Sequence, residues 1–128
     1  MNIHASAEDY LEAILILQEK GGNVRSIDVA RHMNFSKPTI SAAMKQFREN
    51  GYIEMDDGHN ISLTEPGAEI ARKIYERHRL IAQILMDLGV DEETAYMDSC
   101  KIEHSISEKS FDCIKKYYYS SAERKKQA

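Results

Sequence analysis

Two short helical segments, separated by a brief turn and followed by a hairpin signal, constrain the fold of this 128-residue chain more than any other feature. Ser26 and Ser36 are candidate N-caps of helices that end near Met33 and Asn50. Only Asn34-Phe35 lies between the two helices. Two short helices joined by a tight turn predict a helix-turn-helix motif.

The segment after this motif predicts a β-hairpin. Residues 52–55 and 60–63 have strand-like composition, and Asp56-Asp57-Gly58-His59 between them is a hairpin turn signal. A helix-turn-helix followed by a hairpin is a winged helix. We therefore expect the second helix of the motif to be a recognition helix and the hairpin to be its wing.

Helices are predicted for the remainder of the chain. Their expected extents and N-caps are residues 6–20 (Ser6), 65–88 (Thr64), 91–106 (Asp91) and 107–118 or beyond (Ser107). Residues 120–128 are polar and are expected to fray. The predicted fold is mainly α, with a winged helix-turn-helix over residues 1–64 followed by a helical domain over residues 65–128.

Composition excludes several protein classes. The chain is 42% hydrophobic and 30% charged, as is ordinary for a soluble globular protein. Its longest apolar run, residues 13–17, is too short to cross a bilayer, and the N-terminus lacks the features of a secretory signal. We expect a cytoplasmic protein with no membrane partner. Cys100 and Cys113 are too few for a disulfide framework, although one bridge between them stays open.

The distribution of charge favours a nucleic-acid partner although the net charge is −4. Residues 22–52 carry five basic and two acidic side chains, for a local charge of +3, so the remainder carries −7. A basic segment in an acidic protein fits a DNA-facing surface. Chance clustering of mixed surface charge is the alternative explanation.

Candidate DNA contacts follow from the position of each residue in the winged helix. The N-terminal part of a recognition helix normally meets base edges in the major groove. The candidates there carry hydroxyl, ammonium or small apolar groups: Ser36, Lys37, Pro38, Thr39, Ser41 and Ala42. Arg25, Arg31, Lys45 and Arg48 suit phosphates, and His59 with Asn60 in the wing could meet the backbone or minor groove. A winged helix used for protein contacts is the alternative.

A second pattern combines residue types that bind metals. Cys100, Glu103 and His104 are three and four residues apart, so they share one helical face. Two further carboxylates, Asp9 and Glu12, are three apart on the first predicted helix. His78 lies in the middle of the long helix, where a histidine is more often a satisfied core residue. Thiolate, imidazole and carboxylate together suit a first-row transition metal.

Three blocks of sequence carry a resemblance to a known family. Residues 8–12 (EDYLE), 77–80 (RHRL) and 100–104 (CKIEH) resemble the diphtheria toxin repressor and manganese transport regulator family in order and spacing, from about residue 6 to residue 120. The resemblance implies a short form without the extra C-terminal domain. It also implies that residues 1–64 are a DNA-binding domain and residues 65–128 an α-helical metal-binding and dimerisation domain. The implied protein is a homodimer that binds double-stranded operator DNA when loaded with Mn(II) or Fe(II) and represses metal uptake.

The ligand set implied by the resemblance is a hybrid of two branches. The manganese branch is matched by Asp9, Glu12, His78, Glu103 and His104. Cys100 departs from it, because that branch has a carboxylate there and the iron-responsive branch has cysteine. The sulfur shifts preference towards iron, zinc or cobalt. Ala82 stands where family members often carry a glutamate, which puts a second metal in doubt.

The sequence leaves other interpretations open. A winged-helix regulator could respond instead to a small organic ligand or to thiol oxidation at Cys100, with Cys113 as the resolving thiol. A small metalloenzyme is disfavoured, because no phosphate loop or nucleophile motif is visible, and no small organic substrate is expected. The proposed dimer contacts are Leu80, Ile84, Leu88 and Tyr96.

Overall fold

The computed structural model describes the backbone of residues 3–127 and the side chains of residues 7–121. Within that range the elements are α1 (Ile3–Glu19), α2 (Ser26–Met33), α3 (Lys37–Glu49), β1 (Ile53–Met55), β2 (Ile61–Leu63), α4 (Glu65–Asp87), α5 (Glu92–Glu103) and α6 (Glu108–Gln127). The predicted mainly α fold with a winged helix-turn-helix is confirmed. The chain forms two compact units that divide within α4, after Tyr75.

The first unit is built around one apolar cluster. Leu11 and Ile14 of α1, Ile40 and Met44 of α3, and Ile53 of β1 are almost completely buried in it. The strands β1 and β2 pair antiparallel, with Ile53 opposite Leu63 and Met55 opposite Ile61. The main chain of Val24 joins the hairpin, since its carbonyl accepts the N–H of Ile61 at 2.7 Å. The wing is therefore attached to the connection between α1 and α2 by a backbone hydrogen bond as well as to the helices by side-chain packing.

Four predicted N-caps are confirmed, and each hydroxyl or carboxylate accepts a backbone N–H of the first helical turn. The pairs are Ser36 with Thr39, Thr64 with Gly67, Asp91 with Thr94 and Ser107 with Ser110, at 3.0–3.4 Å. Thr64 also donates its hydroxyl to the carbonyl of Gly51 at 2.6 Å. The start of α4 is thus tied to the residue that ends the recognition helix.

Two predicted helix starts are wrong. The helix α1 begins at Ile3, so residue 6 lies inside it, because nothing between residues 3 and 6 interrupts a helix. The N-cap of α2 is Arg25 rather than Ser26. The carboxylate of Asp28 accepts the N–H of Arg25 at 2.9 Å, which satisfies the donor from inside the helix.

Two predicted helix ends also differ from the structure. The helix α5 stops at Glu103, with His104 as its C-cap, three residues before the predicted end. The helix α6 continues to Gln127, where fraying was expected. The polar composition of its last turns was misleading, because alanine, glutamate, arginine, lysine and glutamine are all good helix formers.

The second unit has a smaller core, formed by Leu80, Ile81 and Phe111. Leu80 was predicted to contact a second copy of the chain, but it is buried within its own unit instead. Two other predicted dimer contacts are exposed, unlike Leu80: Leu88 is 77% exposed and Tyr96 is 43% exposed. In the described part of the chain, no helix is both long and apolar enough to cross a membrane.

Candidate metal centre and DNA-binding surface

The predicted DNA contacts all lie in the first unit, and all are exposed except Asn60, which is half-buried. Five of them line one open concavity of about 420 Å³ between the start of α2, the outer face of α3 and the hairpin: Arg25, Ser41, Lys45, Arg48 and His59. Its floor includes Met44 and Met55. Three cationic side chains around a groove, with a hydroxyl and an imidazole, form a surface suited to a phosphate backbone.

The other predicted DNA contacts lie outside this concavity. Arg31 is on α2 and Asn60 is in the hairpin, and the rest are around the first turns of α3: Ser36, Lys37, Pro38, Thr39 and Ala42. The hydroxyls of Ser36 and Thr39 are hydrogen-bonded to each other at 2.8 Å. The hydroxyl of Ser36 also caps the helix. Contact of these residues with bases stays a prediction.

The wing owes its shape to Asp56. Its Oδ1 accepts the N–H of Asn60 at 2.9 Å and its Oδ2 accepts the side-chain amide at 3.1 Å. These hydrogen bonds hold the pKa of Asp56 below its ordinary value. His59, at the turn, adopts the left-handed conformation with φ +63°. Its imidazole is exposed on the same groove as the basic side chains.

In the second unit, the structure brings together four predicted metal ligands. His78 comes from α4, Cys100 and Glu103 from α5, and His104 from the C-cap of α5. Ligand atoms of His78, Cys100 and His104 lie within 4.8 Å of one another. His78 is 6% exposed and Glu103 is 2% exposed, whereas the other two are half-buried. A thiol, two imidazoles and a carboxylate are donors that suit iron, zinc, cobalt or manganese.

The carboxylate of Glu103 organises this cluster. Its Oε2 lies 2.9 Å from Nδ1 of His104 and 3.5 Å from Nε2 of His78, while Oε1 lies 3.2 Å from Nη1 of Arg77. Burial raises the pKa of Glu103, but the hydrogen bond with His78, the charge of His104 and the hydrogen bond from Arg77 together outweigh it. The pKa therefore lies below its ordinary value, and Glu103 is an anion in this cluster.

The remaining predicted ligands belong to the first unit. Asp9 is half-buried and Glu12 is 9% exposed, and both lie on α1. Their spacing of three residues places them on one side of that helix. Their role as metal ligands stays a prediction.

The sequence analysis overlooked Arg77 as part of the metal cluster. Its guanidinium contacts Glu103 and also lies 5.0 Å from the centre of the Phe111 ring. The spacing of residues along α4 could not reveal these two contacts, because Glu103 lies on α5 and Phe111 lies on α6. The available signal was weaker: a basic residue precedes the candidate ligand His78 on a helix that packs against the other ligands.

An apolar groove of about 750 Å³ lies elsewhere in the second unit, between the end of α4 and α6. Its lining includes Ile84, Leu88, Ile114 and Tyr117. Leu88 is 77% exposed and Tyr117 is 74% exposed. Cys113, a free thiol, also lines it. Two of the predicted dimer contacts, Ile84 and Leu88, therefore border one apolar surface.

Protein-family models match almost the whole chain. Residues 2–59 match the model described as iron-dependent repressor, N-terminal DNA-binding domain. Residues 64–123 match the model described as iron-dependent repressor, metal-binding and dimerisation domain. The resemblance predicted from the three sequence blocks is thereby confirmed.

Individual relatives agree with the family models. An uncharacterised HTH-type transcriptional regulator of Methanocaldococcus jannaschii is 34% identical over 112 residues, covering 86% of this chain and 90% of that protein. The HTH-type transcriptional regulator MntR of Bacillus subtilis is 33% identical over 109 residues, covering 85% and 77%. The manganese regulator SloR superimposes with a TM-score of 0.77 at 26% identity, covering 88% of this chain. This chain spans about half of SloR, 53% of its length.

Proposed function

The chain belongs to the iron-dependent repressor family, and from that premise we propose that it is a transcriptional repressor whose binding to operator DNA depends on a divalent transition metal. The observation that carries the proposal is the cluster of His78, Cys100, Glu103 and His104 in the unit matched by the metal-binding domain. Because the family is one of DNA-binding regulators, its members argue against the metalloenzyme alternative.

The proposed metal ligands are Asp9, Glu12, His78, Cys100, Glu103 and His104. The packing of the last four within one unit supports their part of the set, and the sequence pattern supports Asp9 and Glu12. We propose Mn(II) or Fe(II) as the physiological metal. Manganese is the metal named for SloR, whereas the thiol of Cys100 favours iron and also admits zinc or cobalt.

Regulation follows from the charges of these residues. Glu103 is an anion, and Asp9, Glu12 and the thiolate form of Cys100 add further negative charge to the proposed set. Such groups repel one another until a divalent cation supplies compensating positive charge. We propose that this repulsion holds the metal-free protein in an ensemble with low affinity for DNA. By linkage, metal and DNA must tighten each other's binding by the same factor, about 5–150-fold for an ordinary coupling free energy.

The proposed partners are double-stranded operator DNA and a second copy of the chain. The groove lined by Arg25, Lys45 and Arg48 supports the DNA surface, and a symmetric operator requires two such surfaces. The apolar groove around Leu88 and Tyr117 supports a homodimer, since the unit that carries it matches a dimerisation domain. We propose repression of metal-uptake genes and a cytoplasmic location, both implied by membership of the family.

The test is DNA binding by purified, metal-free protein during titration with Mn(II), anaerobic Fe(II), Zn(II) and Co(II) at fixed salt. The DNA is the region upstream of the protein's own gene. We expect tight binding only with metal. The His104→Ala variant should fold and dimerise but lose the increase in DNA affinity that metal causes, because the substitution removes an imidazole from the cluster. Lys101→Ala, an exposed neighbour on α5, is the matched control and should behave as wild type. Equal DNA affinity with and without every metal would contradict the proposal.

The thiol-responsive alternative makes a different prediction in the same assay. Neither Cys100, which is half-buried, nor Cys113, which is exposed, forms a disulfide. If oxidation were the signal, DNA binding would change with peroxide in the presence of a chelator, and Cys100→Ser would abolish that change. Under the metal proposal, Cys100→Ser alters the preference among metals and leaves the chelated protein unresponsive to peroxide.

A further inference from the structure

We propose that Arg77 is a positioning residue of the metal centre: it holds one oxygen of Glu103 and leaves Oε2 as the single oxygen that this carboxylate presents to the metal and its histidines. The inference rests on the proposed metal-binding function. It assigns to Arg77 a role that neither the ligand pattern nor the helix periodicity indicates.

The first argument is that the two carboxylate oxygens of Glu103 contact different partners. Oε1 lies 3.2 Å from Nη1 of Arg77, and Oε2 lies 2.9 Å and 3.5 Å from nitrogens of His104 and His78. A charge-assisted bond from a guanidinium is among the stronger hydrogen bonds in proteins. Rotation of the carboxylate would break the contact between Oε1 and Nη1 of Arg77. While that contact persists, Oε2 therefore stays beside the two imidazoles.

The second argument is that Arg77 is itself fixed. Its side chain is 12% exposed, and its guanidinium lies over the ring of Phe111, 5.0 Å from the ring centre. Phe111 is 4% exposed and packs with Leu80 and Ile81 in the core of the second unit. The guanidinium thus contacts both a ring on α6 and, through Nη1, a carboxylate on α5.

The third argument concerns charge. Glu103 is 2% exposed, and a buried carboxylate is costly without compensation. Arg77 supplies a permanent positive charge 3.2 Å from Oε1. The positive charge of Arg77 therefore compensates the burial of this carboxylate and helps to retain its orientation. Residues that orient metal ligands typically affect metal affinity by about 10–100-fold.

A lysine at this position would not substitute for arginine. Arg77→Lys keeps the charge but loses the guanidinium, which lies over Phe111 and donates to Oε1 through Nη1. We expect Arg77→Lys to weaken Co(II) binding by about 10–100-fold. We also expect it to change the visible Co(II) absorption spectrum, because the oxygen donor from Glu103 is no longer held in one orientation. Arg77→Met should change the spectrum in the same way.

The matched control breaks a neighbouring ion pair that does not involve Glu103. Lys115 of α6 pairs with Glu76, the residue before Arg77 on α4. Lys115→Met removes one positive charge and one contact between the same two helices. It should leave the Co(II) spectrum and affinity unchanged. The Co(II) spectrum reports the metal ligands directly. If Arg77 only stabilised the fold, its substitution would lower the melting temperature and leave the Co(II) spectrum unchanged.

The experiment is Co(II) titration of the full, metal-free chain and of the three variants, each checked for folding by circular dichroism. Altered spectra in both Arg77 variants, with a wild-type spectrum for Lys115→Met, support the inference. Wild-type spectra and affinities for folded Arg77→Lys overturn it, even if Arg77→Met fails to fold. Tighter Co(II) binding by Arg77→Met with an unchanged spectrum also overturns it, because Arg77 would then be only a competing charge. Failure of the wild-type chain to bind any metal would overturn the proposed function and this inference together.

Discussion

At the scale of single residues, the side chain of Glu103 organises the candidate metal centre. One other helix, α4, and the C-cap of α5 supply the groups that surround its carboxylate. Its environment therefore depends on Arg77 and His78, 25 positions away or more, as well as on its neighbour His104. Glycine has an equally local role at residue 67. A Cβ at this position would lie 2.0 Å from the carbonyl oxygen of Tyr52, which is too close for any real contact.

We therefore expect Gly67→Ala to lower the free energy of unfolding by about 1–3 kcal/mol or more, because the backbone at residue 52 must shift. The measurement is urea denaturation. Gly58→Ala is the matched control: its added Cβ would meet only side-chain atoms of Asn60 and Asp56, at 3.3 Å and 3.4 Å. It should cost less, since those side chains can move. Equal losses from the two substitutions would contradict this account.

At the scale of elements, the caps determine where the functional helices begin. Asp91 accepts the N–H of Thr94 at 3.0 Å and starts α5, the helix that carries Cys100 and Glu103. The hydrogen bonds from the backbone and hydroxyl of Thr94 hold the pKa of Asp91 below its ordinary value of 3.8. A cap that depends on charge makes the stability of α5 depend on pH.

The sign of that dependence follows from the lowered pKa. The charged form of Asp91 stabilises the folded state fully above pH 3.8, and this contribution is lost as the pH falls through the lower folded-state pKa. Asp91→Asn keeps a capping oxygen that does not titrate. We expect the melting temperature of wild type, relative to this variant, to be highest near neutral pH and to decline on acidification below pH 3.8. A difference that is constant across pH would contradict the prediction.

The recognition helix and the wing form a second element-scale unit, the basic groove. Lys45 is exposed on α3 and lines this groove. We expect Lys45→Ala to weaken binding to all DNA sequences and to reduce the slope of log K against log salt by about one, because one phosphate contact is lost. Lys116→Ala on α6 removes the same charge from an exposed site in the second unit and should leave the slope unchanged. An unchanged slope for Lys45→Ala would remove it from the DNA surface.

For the whole molecule, assembly and regulation are linked. A helical unit that leaves Leu88 and Tyr117 mostly exposed beside an apolar groove has surface that a second copy of the chain could cover. The core of that unit is small, formed by Leu80, Ile81 and Phe111, so burial between copies would add to its stability.

We expect Leu88→Asp to shift the chain from dimer to monomer in sedimentation equilibrium, because a carboxylate placed in an apolar contact loses hydration without gaining a partner. Lys116→Glu, on α6 but outside the groove lining, is the control and should remain dimeric. A dimer that persists in Leu88→Asp would place the interface elsewhere.

The sequence by itself determined the order of elements, most caps and the family, because these depend on short-range signals. Ser36, Thr64, Asp91 and Ser107 each accept a bond from a residue three positions onward, and such bonds can be read from spacing. The helix ends were less predictable: α6 extends to Gln127 because favourable propensities in its polar last turns were underestimated.

Only the tertiary structure decided which side chains meet. Leu80 fits an exposed dimer contact by periodicity, but it is buried beside Phe111 of another helix. Arg77 resembles an ordinary surface cation in the sequence, but its partners lie on α5 and α6. Helix periodicity specifies a direction relative to one helix axis, and the residue facing that direction depends on how the helices pack. The sequence could therefore nominate His78, Cys100, Glu103 and His104, whereas the role of Arg77 required the structure.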